Sequence, residues 1–125
     1  MTLKAAFAAM ATASVVAIAG CGLGPGPGTS NVTLRVTRGF GTAGVASLVE
    51  RRVPGSETVM RMLNRHLRVS TRYGGGFVQS INGLSGSSSH LDWFFYVNGI
   101  EASRGAAATS VNRGDRIWWD LHDWS

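Results

Sequence analysis

Charge is scarce in this chain. Only 15% of its 125 residues are charged, and the single lysine is Lys4. Cysteine is scarcer still, since Cys21 stands alone. An exported domain with one cysteine has no internal disulfide, so its core must hold it together unaided. Three prolines stand against seventeen glycines. The glycines promise many turns, but they follow no Gly-X-Y period, which excludes a collagen-like chain. With 44% hydrophobic residues the chain is too apolar for disorder at this modest charge. Its length fits one domain and leaves no room for separate catalytic and regulatory units.

The apolar run Ala5–Ala19 is fifteen residues long, short of the about 20 that a membrane-spanning helix needs. Preceded by Lys4, it suits the core of a secretory signal. It ends at Ile18-Ala19-Gly20-Cys21, which resembles a bacterial lipobox: a branched aliphatic, two small residues, then cysteine. Small side chains admit the peptidase beside the cut, and the Cys21 thiol accepts the diacylglycerol. Residues 1–20 are therefore expected to be a lipoprotein signal peptide. Gly22–Ser30 has almost nothing to bury and reads, with Cys21, as a tether of 21–30. Its nine residues reach at most about 30 Å. The folded domain is expected over 31–125, on the extracytoplasmic face of the cell membrane, with the lipid bilayer as its first partner.

Cleavage removes Lys4 and leaves eleven arginines against seven acids, a net charge of +4. The arginines are dispersed, whereas a nucleic-acid reader clusters its cations. No nucleic-acid partner is expected. Attraction to acidic lipid or wall polymer is the milder inference.

Val32, Leu34 and Val36 alternate with Thr33, Arg35 and Thr37, a strand with one wet face. Glycines around Phe40 break it. Val45–Val53 is a second, weaker strand, closed by Pro54-Gly55. Ser56 then reads as an N-cap with Glu57 in the first turn. Val59, Leu63 and Leu67, widened by Met62, predict one amphipathic helix over 57–68, with Arg61, Arg65 and Arg68 on its solvated side. Phe77–Ile81 is a third strand after the bend Tyr73–Gly76, and 82–89 reads as a loop. Trp93–Val97 is a fourth strand followed by the tight-turn pair Asn98-Gly99. Arg116–Leu121 is the last, with Ile117, Trp119 and Leu121 inward and Trp118 and Asp120 outward. Two strands, one helix and three strands predict an α+β domain: a β-grasp-like mixed sheet of about five strands packed on one helix.

Motifs for catalysis are missing. The triplet Gly74–Gly76 is followed by a strand and by no Gly-Lys-Ser/Thr, which excludes a P-loop. No nucleophile elbow or paired-carboxylate frame occurs. His66, His90 and His122 show no ligand spacing; His122, between Asp120 and Asp123, is only a weak metal pattern, and no metal is expected. Arg113-Gly114-Asp115 is a turn. The aromatic strand Trp93–Val97 has two apolar faces. It is either a central strand covered on both sides or one that offers Phe94 and Tyr96 as a platform for a flat ligand. Trp118 poses the same choice and has the area and the donor of a contact residue.

Several blocks together are similar to a known family. Gly74–Leu84, Phe94–Gly99 with Glu101-Ala102, and Gly105–Ala107 followed by Gly114-Asp115 resemble, in order, the transcobalamin C-terminal-like domains of bacterial surface proteins. That resemblance implies a lid-like domain that binds cobalamin in the animal relatives beside a helical domain this chain lacks. Carried over, it implies ligand contacts at Gly75, Gly76, Phe77, Ser80, Asn82, Phe94 and Tyr96. Where the animal relatives have a tryptophan in the bend and a glutamine in the aromatic strand, Gly75 and Phe95 stand here. The function so implied is a non-catalytic ligand-binding lipoprotein domain, with a corrinoid (cobalamin) as bound ligand or as cargo passed to a transporter or other cell-envelope protein. No cofactor is required. A protein- or polymer-interaction module of the envelope is the alternative.

Overall fold

The computed structural model describes residues 31–87 and 89–125. The signal segment, the lipidation residue Cys21 and the tether lie outside the described residues. Among the described residues no helix is long and apolar enough to cross a membrane.

The alternation after Asn31 forms β1 (Val32–Arg38), with Val32, Leu34 and Val36 all buried. Gly39, Phe40 and Gly41 then take positive φ, and the chain reverses into β2 (Ala43–Glu50). The helix α1 (Val59–His66) follows, then β3 (Val69–Arg72), β4 (Phe77–Ile81), β5 (Leu84–Ser85), β6 (Leu91–Val97), β7 (Ile100–Glu101) and β8 (Arg116–Asp123). Five strands form one sheet in the order β2-β1-β8-β6-β7. Its central pair, β1 and β8, runs parallel, and all its other pairs are antiparallel. Joining the first and last strands side by side at the centre is the β-grasp arrangement, as expected. The expectation of a single sheet is corrected: β3, β4 and β5 form a second, three-stranded sheet.

Local chemistry explains the differences. Thr58, not Ser56, caps α1, its hydroxyl accepting from the Arg61 N–H at 3.1 Å. Ser56 has φ 63°, so the chain turns there and cannot enter a helix. Glu57 is consequently outside the helix and buried, where Arg65 pairs with it and with Glu50. Arg65 is exposed, as expected of the solvated side, and also belongs to an ion-pair cluster. Leu67 is the C-cap and only half-buried, and Met60 joins Val59, Met62 and Leu63 in the buried stripe. The reading of 82–89 as a loop missed a hairpin. Asn82 and Gly83 have φ 50° and 84°, the conformation that closes a two-residue turn, and Leu84 pairs back with Ile81. Gly86 follows because a Cβ there would collide with the Leu91 carbonyl oxygen.

The core lies on the inner face of the large sheet. Ile117, Trp119 and Leu121 of β8 and Trp93 and Phe95 of β6 meet Val59, Met62 and Leu63 of α1, with Val78 and Ile81 from the second sheet. Trp93 ties the sheets together through its indole N–H, which donates to the Leu84 carbonyl at 3.1 Å.

Candidate functional site

The outer face of the large sheet is built by strand parity and register. On β8, Trp118, Asp120 and His122 point away from α1. Register sets Arg35 beside Trp118 and Thr37 beside Asp120 on one flank, and Tyr96 beside Trp118 and Phe94 beside Asp120 on the other. Three residues singled out in the sequence, Phe94, Tyr96 and Trp118, thus come together on one surface. All three are half-buried. Tyr96 stacks on Trp118 with centroids 4.7 Å apart, and the Arg35 guanidinium lies 5.3 Å from the Trp118 ring centroid. Burial, then the negative charges of Glu101 and Asp120, raise the Tyr96 pKa above the usual tyrosine value, so it stays a neutral hydroxyl.

Beside these rings is a carboxylate. Asp120 is expected to face outward and does, yet it is 0% exposed. Its Oδ1 accepts from the Thr37 hydroxyl at 2.6 Å and the Gly41 N–H at 3.0 Å; its Oδ2 accepts from the Phe40 N–H at 2.8 Å and meets His122 Nδ1 at 2.7 Å. The Trp118 indole donates to Thr37 Oγ1 at 2.7 Å, extending the network to the aromatic surface. Burial pushes the Asp120 pKa up, but the bonds from Thr37, His122, Phe40 and Gly41 outweigh it and hold it below the usual carboxylate value. The His122 ring is clamped between Phe40 at 3.9 Å and Phe94 at 4.4 Å, nearly parallel to both.

The remaining candidates lie on the second sheet. Gly74 and Gly75 have φ 70° and 94°, so the bend needs glycine for its backbone, and no side chain crowds it. Gly76 has an ordinary φ of −88°. Phe77 meets Tyr73 edge-on at 5.8 Å. The Ser80 hydroxyl pairs with that of Ser70 at 2.6 Å across the β3–β4 ladder. The Asn82 side-chain oxygen accepts from the Arg68 N–H at 3.0 Å, an occupation that serves the turn. Their hydrogen bonds and ring contacts are made within their own sheet and its turns.

Sequence reading missed Thr37, Phe40 and Asp120, and valued His122 only as a weak metal pattern. An aspartate inside Trp-Trp-Asp-Leu was the available signal, because a buried carboxylate requires donors. Where β1, β8, β6 and β5 meet there is a cavity of about 380 Å3 whose walls include Phe40, Leu84, Leu91, Leu121 and His122. Among the described residues, no group of three or more His, Cys, Asp or Glu stands close enough to hold a metal ion.

No curated protein matches the chain. It is similar in structure to a candidate metal-binding protein from Ruminococcus gnavus ATCC 29149, 17% identical, with a TM-score of 0.58 over 77% of this chain and 99% of that one. At that identity the likeness concerns the fold alone. It is also similar to haptocorrin in complex with Cbi, 12% identical, with a TM-score of 0.47 over 78% of this chain. The chain spans only 27% of haptocorrin, and so weak a likeness carries no argument about ligand. The family model described as a domain of unknown function (DUF4430) matches residues 56–123, from the turn before α1 to the end of β8. With more than half its length so matched, the chain belongs to the DUF4430 family.

Proposed function

We propose that this chain is a non-catalytic binding module on the outer face of a bacterial membrane, held there by lipid on Cys21, and that it takes a flat ligand of corrinoid type. One observation carries the reading. Phe94, Tyr96 and Trp118 lie half-buried on the face of the sheet opposite α1, beside the hydrogen-bonded pair Thr37 and Asp120, to which the Trp118 indole is bonded. Rings held in place lose little freedom when a planar molecule stacks on them, and each ring offers large apolar area. The corrinoid itself is suggested by the blocks Gly74–Leu84 and Phe94–Gly99. Without a helical partner domain half of a corrinoid's cage is missing, so the expected affinity is micromolar or weaker.

Ultraviolet-visible titration with cobalamin is the test. Tyr96→Ala should weaken binding by about 1 to 3 kcal/mol, the scale of stacking on a planar base. Gly76→Val should weaken binding by bulk at the bend rather than by misfolding, because its φ suits valine and a Cβ there meets only the Tyr73 carbonyl at 3.7 Å. Arg61→Ala, on α1 at the far side of the sheet, should leave the affinity unchanged. A titration silent at millimolar cobalamin removes the corrinoid.

A specific observation favours a second reading as a protein- or polymer-interaction module. Ile100 on edge strand β7 is 73% exposed and Val49 on edge strand β2 is 56% exposed. Open strand edges bearing apolar side chains are places where another chain can add on. Capture of an envelope protein by the chain, lost with Ile100→Lys, would favour that reading over the first.

A further inference from the structure

The cavity where β5 meets the ends of β1, β6 and β8 has a construction of its own. Its apolar walls are leucines from three strands, Leu84 of β5, Leu91 of β6 and Leu121 of β8, with Phe40 from the β1–β2 turn; Arg38, Ser85 and Asp123 also line it. His122 is the polar group whose orientation is fixed. Both faces of its ring are covered by Phe40 and Phe94, and its Nδ1 is held by Asp120. The part of the ring left to line the cavity is therefore the edge that carries Nε2. Asp120 is an ionised acceptor, so Nδ1 of a neutral imidazole donates to it and the lone pair stands on Nε2. Nε2 bonds to no group among the described residues, and it is not among the sealed, unpaired buried atoms.

Phe40 is the second unusual wall. It is 64% exposed and has φ 59°, a backbone region that bulky residues avoid. Its N–H bonds Asp120 Oδ2, so one carboxylate both fixes the imidazole tautomer and pins the strained turn that lays Phe40 over it. Strain of this kind gathers at ligand clamps. We infer that this cavity is a second binding site, for a small aromatic molecule carrying one hydrogen-bond donor, such as a phenol, with His122 Nε2 as the acceptor. The volume of about 380 Å3 holds a substituted benzene ring. The leucine and Phe40 walls suit the ring, and the fixed His122 lone pair suits one hydroxyl. The site is distinct from the lipid anchor and opens apart from Tyr96 and Trp118, although Phe94 and Asp120 serve both it and the aromatic face.

The experiment uses the full chain and two probes of nearly equal shape. 4-Methylphenol carries the donor; 1,4-dimethylbenzene replaces the hydroxyl with a methyl group. We expect 4-methylphenol to bind and to move the Nε2 nitrogen signal of His122 in the imidazole 15N spectrum, leaving His66 and His90 still. 1,4-Dimethylbenzene should bind about tenfold more weakly, since it leaves the acceptor unpaired. Leu84→Trp should fill the cavity and abolish binding, and His122→Phe should erase the preference between the probes. If either variant fails to fold, the two probes and the nitrogen signals of the unaltered chain still decide. Equal affinity for both probes, no binding of 4-methylphenol at 10 mM, or binding that leaves His122 Nε2 unmoved would each overturn the inference.

Discussion

The Asp120 side chain joins β1, the β1–β2 turn and β8 through four hydrogen bonds. A buried carboxylate without donors would take up a proton or unfold its surroundings. Here four donors converge on it, from a strand, a tight turn and a histidine two residues away. Two of the four are backbone N–H groups of Phe40 and Gly41, so the acid holds the β1–β2 turn in shape. Asp120→Asn keeps the volume but turns an acceptor into a donor facing other donors, and should cost about 3 kcal/mol in chemical unfolding. The pH dependence follows from the lowered pKa. Its stabilisation is fully present above the ordinary carboxylate value of about 3.9 and is lost as pH falls through the lower folded value. The parent protein should therefore lose stability in acid, and Asp120→Asn should show a flatter profile below about pH 4. Identical acid profiles for the two proteins would show that Asp120 is not the group being titrated.

At the scale of elements, α1 is short and gains its stability by packing. Eight residues make a marginal helix in water, and the Thr58 cap adds about 1 kcal/mol. Its place is secured by Val59, Met62 and Leu63, each at most 1% exposed, set against the inner face of the sheet. Leu63→Ala should destabilise the fold by about 2 to 5 kcal/mol, measured by denaturant titration. A loss under about 0.5 kcal/mol would mean that the site collapses around the smaller side chain. The two Asn-Gly hairpins illustrate how one signal can be read at one place and missed at another. Asn98-Gly99 stands between an aromatic strand and Ile100, whereas Asn82-Gly83 is followed by Leu84 in a run of serine and glycine. The turn chemistry is the same, with φ 50° to 53° at the asparagines and 84° to 85° at the glycines. The two-residue strand β5 is too short for any periodicity to reveal it; its pairing with β4 and the Trp93 bond to Leu84 define it.

At the scale of the whole molecule, the large sheet divides its labour between its faces. The inner face is covered by α1 and the second sheet and forms the core. The outer face keeps rings, an ionised acid and an imidazole, covered only in part by the β1–β2 turn. The family match begins at residue 56, so β1 and β2 lie outside it, although β1 completes the sheet and supplies Thr37 to the Asp120 network. Attachment is the molecular property easiest to test. If Cys21 carries the lipid, Cys21→Ser should release the protein from the membrane fraction and leave unprocessed precursor, because two acyl chains suffice for stable anchoring and none remain. Fractionation with unchanged membrane partitioning would remove the anchor from the proposal.

Period-two alternation in β1 and β8, four-residue spacing in α1 and the Asn98-Gly99 pair were decisive on their own, because each depends on neighbours a few residues away. They suffice for the α+β class and the parity that sets Phe94, Tyr96 and Trp118 outward, but not for the division into two sheets, which puts Phe77–Ile81 in the smaller one and β7 in the larger. Parity, however, tells which face a side chain takes and says nothing of what lies above it. Asp120 is sealed because Thr37, 83 residues earlier, sits beside it and because a turn with three positive φ angles folds over it. The His122 clamp and the cavity arise in the same way, where β1, β5, β6 and β8 converge from distant parts of the chain. Burial, donor geometry and the shape of the pocket are properties of that convergence, and no local pattern of residues contains them.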